Sequence, residues 1–159
     1  MVNLEREVYG GPHKVTLILG SNMGNREQNL SIALSLLVTE LASVLFSDVK
    51  ESSIIESEPW GFEASTPFLN QAVSFLTTCP PEVLLQVCQY VEQKMGRPKH
   101  LPEYDKNGKR IYHSRIIDID IILYGDLNID LPHLKIPHPQ IWERDYAKKL
   151  LEEIESGDL

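Results

Sequence analysis

Residues 115–125 read Arg-Ile-Ile-Asp-Ile-Asp-Ile-Ile-Leu-Tyr-Gly. Two acids sit among aliphatic, β-branched side chains, and that composition belongs to a buried strand. Strand side chains alternate between faces, so Asp118 and Asp120 share a face with Cα atoms roughly 6.5–7 Å apart. Two ionised carboxylates buried together are strongly destabilising unless a positive group lies between them. One or two divalent cations supply that charge, and paired Asp oxygens suit hard Mg²⁺ better than Zn²⁺. The pattern also fits an edge strand with a hydrated polar face and Arg115 as a local counter-charge.

The segments before this run set its partners. Residues 15–19 (Val-Thr-Leu-Ile-Leu) form a short apolar strand ending at Gly20-Ser21-Asn22-Met23-Gly24. Leu30, Ala33, Leu34, Leu37 and Leu41 recur at helical spacing, which predicts a helix over 26–41. A second strand is expected within 43–57, a loop over 58–67 and a third strand over 69–77. Pro80-Pro81 opens a second helix, with Val83, Leu84, Val87, Val91 and Met95 as its stripe and Gly96 as its stop signal. A loop from 97 to 114 leads into the aspartate strand, and a last helix begins near Gln140 and carries Leu150, Leu151 and Ile154.

The order β-α-β-β-α-β is the split βαβ arrangement of ferredoxin-like folds. The expected class is therefore α+β, with a mainly antiparallel sheet and an additional C-terminal helix. Residues 1–14 read as an N-terminal extension, ordered or tail-like, and 15–159 as one domain. A chain of 159 residues buries about 68–70 % of its unfolded surface.

Composition narrows the partners. Fifteen Lys and Arg against 23 Asp and Glu give a net charge of −8, which argues against general nucleic-acid binding. No apolar run approaches the length of a membrane span, and residues 1–14 do not have the form of a signal peptide. Cys79 and Cys88 share no metal-ligand spacing and read as reduced thiols of a cytoplasmic protein.

Against that acidity, the segment 97–115 concentrates Arg97, Lys99, His100, Lys106, Lys109, Arg110, His113 and Arg115, opposed by Glu103 and Asp105. Polyphosphate needs this combination: a divalent ion on its bridging oxygens and Arg or Lys on the rest. Pro98, Pro102 and the Asn107-Gly108 turn suggest a mobile surface loop, although a solvated basic loop has the same composition. His138, held between Pro137 and Pro139, and Arg144 beyond it offer directed donors to phosphate or a nucleotide. Trp60, Phe62, Phe68 and the Asn70 amide suit a flat heteroaromatic ligand, or serve as apolar cover for the sheet edge.

Together these segments resemble the 6-hydroxymethyl-7,8-dihydropterin pyrophosphokinase family of folate biosynthesis. The resemblance runs in order through Leu-Gly-Ser-Asn (19–22), Ser-x-Pro-x-Gly (57–61) and Phe-Leu-Asn-x-Ala-Val (68–73). It continues through Gly-Arg (96–97), Arg-x-x-Asp-Ile-Asp-Ile (115–121), Ile-Pro-His-Pro (136–139) and Arg144. It implies a cytoplasmic diphosphotransferase that moves the β,γ-diphosphate of ATP to a pterin hydroxymethyl group and releases AMP. It further implies two Mg²⁺ ions on Asp118 and Asp120, with Arg97 stabilising the transferring group. Gln89, Glu92, Lys99, Arg110, Tyr112, Arg115, Ile121, His133, Lys135, His138 and Arg144 fall at ATP positions. Ser57, Glu58, Trp60, Phe68, Asn70 and Tyr146 fall at pterin positions, with Tyr146 where the family usually has Phe. The segment 110–114 departs from the family: Tyr112 stands at a frequent Trp, and His113-Ser114 replaces Gly-Pro.

The implied partners are ATP and 6-hydroxymethyl-7,8-dihydropterin, without nucleic acid or membrane, in a monomer or homodimer. Rival readings are another metal-dependent nucleotidyl or phosphoryl transferase using the same acids, and a non-catalytic ferredoxin-like binding module. The module has no need of two carboxylates on one strand beside a pterin-like loop.

Overall fold

The computed structural model describes residues 11–58, 66–96, 103–104, 106–108, 110–111 and 115–156, with the backbone alone at 103–104 and 110–111. Its first strand, β1 (His13–Ser21), turns into helix α1 (Arg26–Leu41). The Asn25 side chain caps α1 by accepting from the Gln28 N–H at 3.1 Å, a contact of about 1 kcal/mol. A 3₁₀ turn at Ala42–Val44 precedes β2 (Lys50–Ser57), and β3 (Phe68–Thr77) follows. Helix α2 (Pro81–Lys94) starts on the proline whose missing N–H costs a first turn nothing. Gly96, at φ +102°, ends it as expected.

The aspartate run is a strand, β6 (Asp118–Tyr124). With β1, β2 and β3 it forms an antiparallel sheet in the order β2-β3-β1-β6, the ferredoxin-like arrangement. β6 is therefore an edge strand, and its acids are half-buried rather than sealed, with side chains 30 % (Asp118) and 29 % (Asp120) exposed.

Both sheet faces are covered. Val15, Leu17 and Leu19 pack with Val73, Phe75, Ile119 and Ile121, and against Leu30, Ala33, Leu37, Leu41, Leu84, Val87 and Val91 of the two helices. Each fully buried Leu or Ile contributes roughly 1.5–3 kcal/mol. The opposite face, with Ile18, Ala72 and Ile122, packs on Ile141, Ala147, Leu150 and Ile154. A bulge opposite Thr16 and Leu17 turns Ile122 and Leu123 both toward this second cluster.

Three features depart from the sequence reading. Within 97–114 two short strands, β4 (Glu103–Tyr104) and β5 (Arg110–Ile111), pair as a hairpin around Asn107-Gly108, with Gly108 at φ +82°. A second hairpin, β7 (Ile129–Leu131) and β8 (Leu134–Ile136), turns at Pro132-His133. The last helix is two: α3 (Gln140–Glu143) and α4 (Asp145–Ser156). They are separated by Arg144, whose backbone is extended (φ −125°, ψ 120°). α4 lies over β2 and β3.

Candidate active site

A cleft of about 450 Å³ opens over the start of β6. The β1 turn supplies one wall through backbone and amide contacts. The Asn22 N–H donates to the Arg115 carbonyl at 3.0 Å, and the Arg115 N–H donates to Asn22 Oδ1 at 2.6 Å. Asn22 Nδ2 also reaches the Thr66 carbonyl at 3.4 Å. Arg26 Nη1 donates to the Pro67 carbonyl at 2.9 Å. The turn thus ties down the chain on both flanks of the cleft.

Asp118 and Asp120 line the cleft floor with Ile119 between them. Arg115 Nη1 donates to Asp118 Oδ1 at 3.2 Å. Asp120 Oδ2 accepts from Gln140 Nε2 at 2.9 Å. The intervening Ile119 N–H donates to Glu92 Oε2 of α2 at 2.8 Å, which covers a backbone donor on an edge strand. Glu92 is itself buried.

His138 approaches from the segment after β8. Its N–H donates to the Ile122 carbonyl at 3.0 Å. Burial pulls the imidazole pKa below its usual value and the Arg144 charge acts the same way, while Asp118 and Glu143 oppose them. The ring is therefore neutral at neutral pH. Nδ1 accepts from the Gln140 N–H at 3.1 Å, so the ring proton sits on Nε2, 3.8 Å from Asp120 Oδ1. That approach is a long polar contact rather than an ion pair.

Phe68, Asn70 and Tyr146 line the other part of the cleft with Ser57 and Glu58. Asn70 Nδ2 donates to the Ile55 carbonyl at 3.1 Å and to Ser57 Oγ at 2.7 Å. A Cβ on Gly20 would meet Phe68 Cδ1 at an ordinary 3.5 Å but press on Asn70 Oδ1 at 3.2 Å. Burial raises the Tyr146 pKa, with Arg144 opposing, and the phenol stays neutral. Its oxygen accepts from Arg144 Nη1 at 2.9 Å and donates to Gln140 Oε1 at 3.2 Å.

Of the residues singled out from sequence, the cleft brings together Ser57, Glu58, Phe68, Asn70, Gln89, Glu92, Arg115, Asp118, Asp120, His133, His138, Arg144 and Tyr146. Lys135 lies elsewhere, paired with Asp130 on the β7–β8 hairpin. The Ile121 side chain belongs to the core beneath β1. Trp60, Arg97, Lys99, Tyr112 and the Arg110 side chain lie outside the described residues. Sequence reasoning passed over Gly20, Glu143 and Gln140 as cleft residues and Asn22 as a buried tie. The signal for Asn22 and Gly20 was present in Leu-Gly-Ser-Asn; for Gln140 it was only an amide directly after Pro-His-Pro.

Among the described residues no group of three or more His, Cys, Asp or Glu is placed to hold a metal ion. The described part of the cleft thus offers two neighbouring strand carboxylates rather than a cage. That donor set fits Mg²⁺, which is commonly held by one or two carboxylates with phosphate oxygens and water completing its shell. No helix among the described residues is long and apolar enough to cross a membrane, and Cys79 and Cys88 are buried and not joined in a disulfide.

The family model described as 7,8-dihydro-6-hydroxymethylpterin-pyrophosphokinase matches residues 16–156. A Porphyromonas gingivalis protein named 2-amino-4-hydroxy-6-hydroxymethyldihydropteridine pyrophosphokinase is 38 % identical over 141 residues, covering 88 % of this chain and 89 % of that protein. A Bacillus subtilis protein of the same name is 36 % identical over 138 residues, covering 87 % and 75 %. A mitochondrial folate synthesis bifunctional protein of Arabidopsis thaliana is 36 % identical over 141 residues, which span 89 % of this chain and 23 % of that longer one. A solved HPPK-DHPS structure in complex with substrates shares the fold, with a TM-score of 0.51 at 16 % identity, over 76 % of this chain and 29 % of that one. The chain belongs to the 7,8-dihydro-6-hydroxymethylpterin-pyrophosphokinase (HPPK) family.

Proposed function

We propose that this chain transfers the β,γ-diphosphate of ATP to the hydroxymethyl group of 6-hydroxymethyl-7,8-dihydropterin, acting in the cytoplasm. The hydroxyl oxygen bonds to Pβ, the bond between Pβ and the oxygen bridging it to Pα breaks, AMP leaves, and the hydroxyl proton passes to solvent. The observation that carries the reading is the meeting, in one cleft, of an aspartate pair, three Arg and His donors, and an amide with two aromatic rings. A polyphosphate needs the first two groups and a flat heteroaromatic ring needs the third.

On this reading Asn70 addresses the pterin edge, with Phe68 and Tyr146 bounding its ring and Ser57 fixing the amide. Arg115, His138 and Arg144 face the nucleotide and its phosphates. A neutral His138 with its proton on Nε2 donates to oxygen without adding charge. Arg144 is held by Tyr146 and Gln140, so its guanidinium is oriented before the ligand arrives. Arg97 and Lys99 are proposed for the transferring phosphates, as are Arg110 and Tyr112 for the nucleotide, from their motif positions alone.

Two Mg²⁺ ions, for which Asp118 and Asp120 are the proposed ligands, would polarise the β-phosphoryl group and ease loss of the hydroxyl proton. Most of the remaining contribution from the protein is alignment of acceptor and phosphate.

A pterin that carries a methyl group in place of the hydroxymethyl group tests the assignment. It should compete for the cleft and release no AMP from ATP. AMP release at the normal rate with that analogue would contradict the proposal.

A further inference from the structure

We propose that Gln140 is a positioning residue that fixes the carboxylate of Asp120 in the orientation metal binding requires. The inference rests on the proposed metal role of Asp120. Gln140 is 2 % exposed, so water cannot readily replace its partners. Its side chain lies between two groups of opposite polarity. Arg144 can only donate, and ionised Asp120 can only accept. An amide joins them in one sense alone. Oε1 faces Arg144 Nη1 at 3.5 Å and Nε2 faces Asp120 Oδ2 at 2.9 Å.

Tyr146 reinforces that sense. Its oxygen accepts from Arg144, so its own proton is directed to Gln140 Oε1. Two donors therefore converge on Oε1, and a flipped amide would set NH₂ against both of them and a carbonyl oxygen against a carboxylate. The backbone adds a further constraint, because the Gln140 N–H is engaged by His138 Nδ1 and its carbonyl accepts from the Arg144 N–H at 2.9 Å. With its anchor and its far end both held, the amide holds Oδ2 in place.

Partners of this kind typically govern metal affinity by 10–100-fold without touching the ion. Met at this position keeps the length and volume while removing all three side-chain hydrogen bonds. Asn keeps the amide but is one methylene too short to span the gap. The experiment measures binding of α,β-methylene-ATP by calorimetry across a Mg²⁺ series, with thermal melting recorded for each protein. For Gln140→Met and Gln140→Asn the half-saturating Mg²⁺ concentration should rise roughly 10–100-fold in protein that still melts in one cooperative transition.

A Mg²⁺-dependent wild type with unshifted Mg²⁺ dependence in the folded variants would overturn the positioning role alone. A wild type whose nucleotide binding ignores Mg²⁺ would overturn the metal reading and this role together. If Gln140→Met does not fold, Gln140→Asn, smaller and still polar, decides the matter.

Discussion

Asn22 and Arg115 exchange two hydrogen bonds across 93 positions of chain, N–H to carbonyl at 3.0 Å and N–H to Oδ1 at 2.6 Å. The pair joins the end of β1 to the residue that pairs with Asp118. Removing the Asn22 side chain leaves the Arg115 N–H without that acceptor in a part-buried place, and a loss of this kind costs about 1–3 kcal/mol. Asn22→Ala should lower unfolding free energy by that amount in chemical denaturation and weaken nucleotide binding with it. Unchanged stability would show that the pair is incidental.

Gly20 tests the pterin half of the cleft. Alanine there would press a methyl group toward Asn70 Oδ1 at 3.2 Å, and no unusual backbone angle complicates the change. Losing one well-placed hydrogen bond of about 1 kcal/mol corresponds to roughly fivefold in affinity. Gly20→Ala should raise the pterin KM by about that factor and leave the nucleotide Kd unchanged. A change confined to the nucleotide would contradict the assignment of this wall.

Glu153 of α4 accepts from the Ser53 N–H at 2.6 Å and from Ser53 Oγ at 2.7 Å, fastening the helix to the open edge of the sheet. The Ser53 side-chain and backbone donors together hold the Glu153 pKa below the usual carboxylate range. A carboxyl whose folded pKa is depressed stabilises the fold above its unfolded value, about 4.3, and that stability is lost as pH falls through the lower folded value. Wild type should therefore melt above Glu153→Gln at pH 7, with the gap closing below about pH 4. A gap independent of pH would remove the carboxylate from the explanation.

Cys88 is fully buried in α2, and burial, with Glu92, Asp120 and Cys79 acting the same way, pushes its thiol pKa up. A protonated, enclosed thiol is inert. Alkylation of Cys88 should proceed only at the rate of global unfolding and accelerate with denaturant in step with it. Rapid labelling in native buffer would contradict the enclosed environment.

Much of this architecture is legible in the sequence because its elements are long enough to show a period. Leu30, Ala33, Leu37 and Leu41 mark both ends of α1, and Val87 and Val91 mark α2. The hairpins β4–β5 and β7–β8 have strands of two and three residues, too short for alternation to register. The break at Arg144 is not announced by Gly or Pro; there the backbone is extended and the side chain reaches Tyr146 and Gln140. Most candidate residues carry unusual chemistry for their setting, as two acids on an apolar strand do. Gln140 carries none, and its place between Asp120 and Arg144 emerges only when β6 and α3 are brought together.

The direct measurement is product analysis after incubation with ATP, Mg²⁺ and 6-hydroxymethyl-7,8-dihydropterin. Asp118 and Asp120 beside the Asn70 wall predict AMP and a pterin diphosphate in equal amounts, with no turnover by Asp120→Ala at an unchanged fold. ADP with a pterin monophosphate, or no turnover by the folded wild-type chain, would contradict the account.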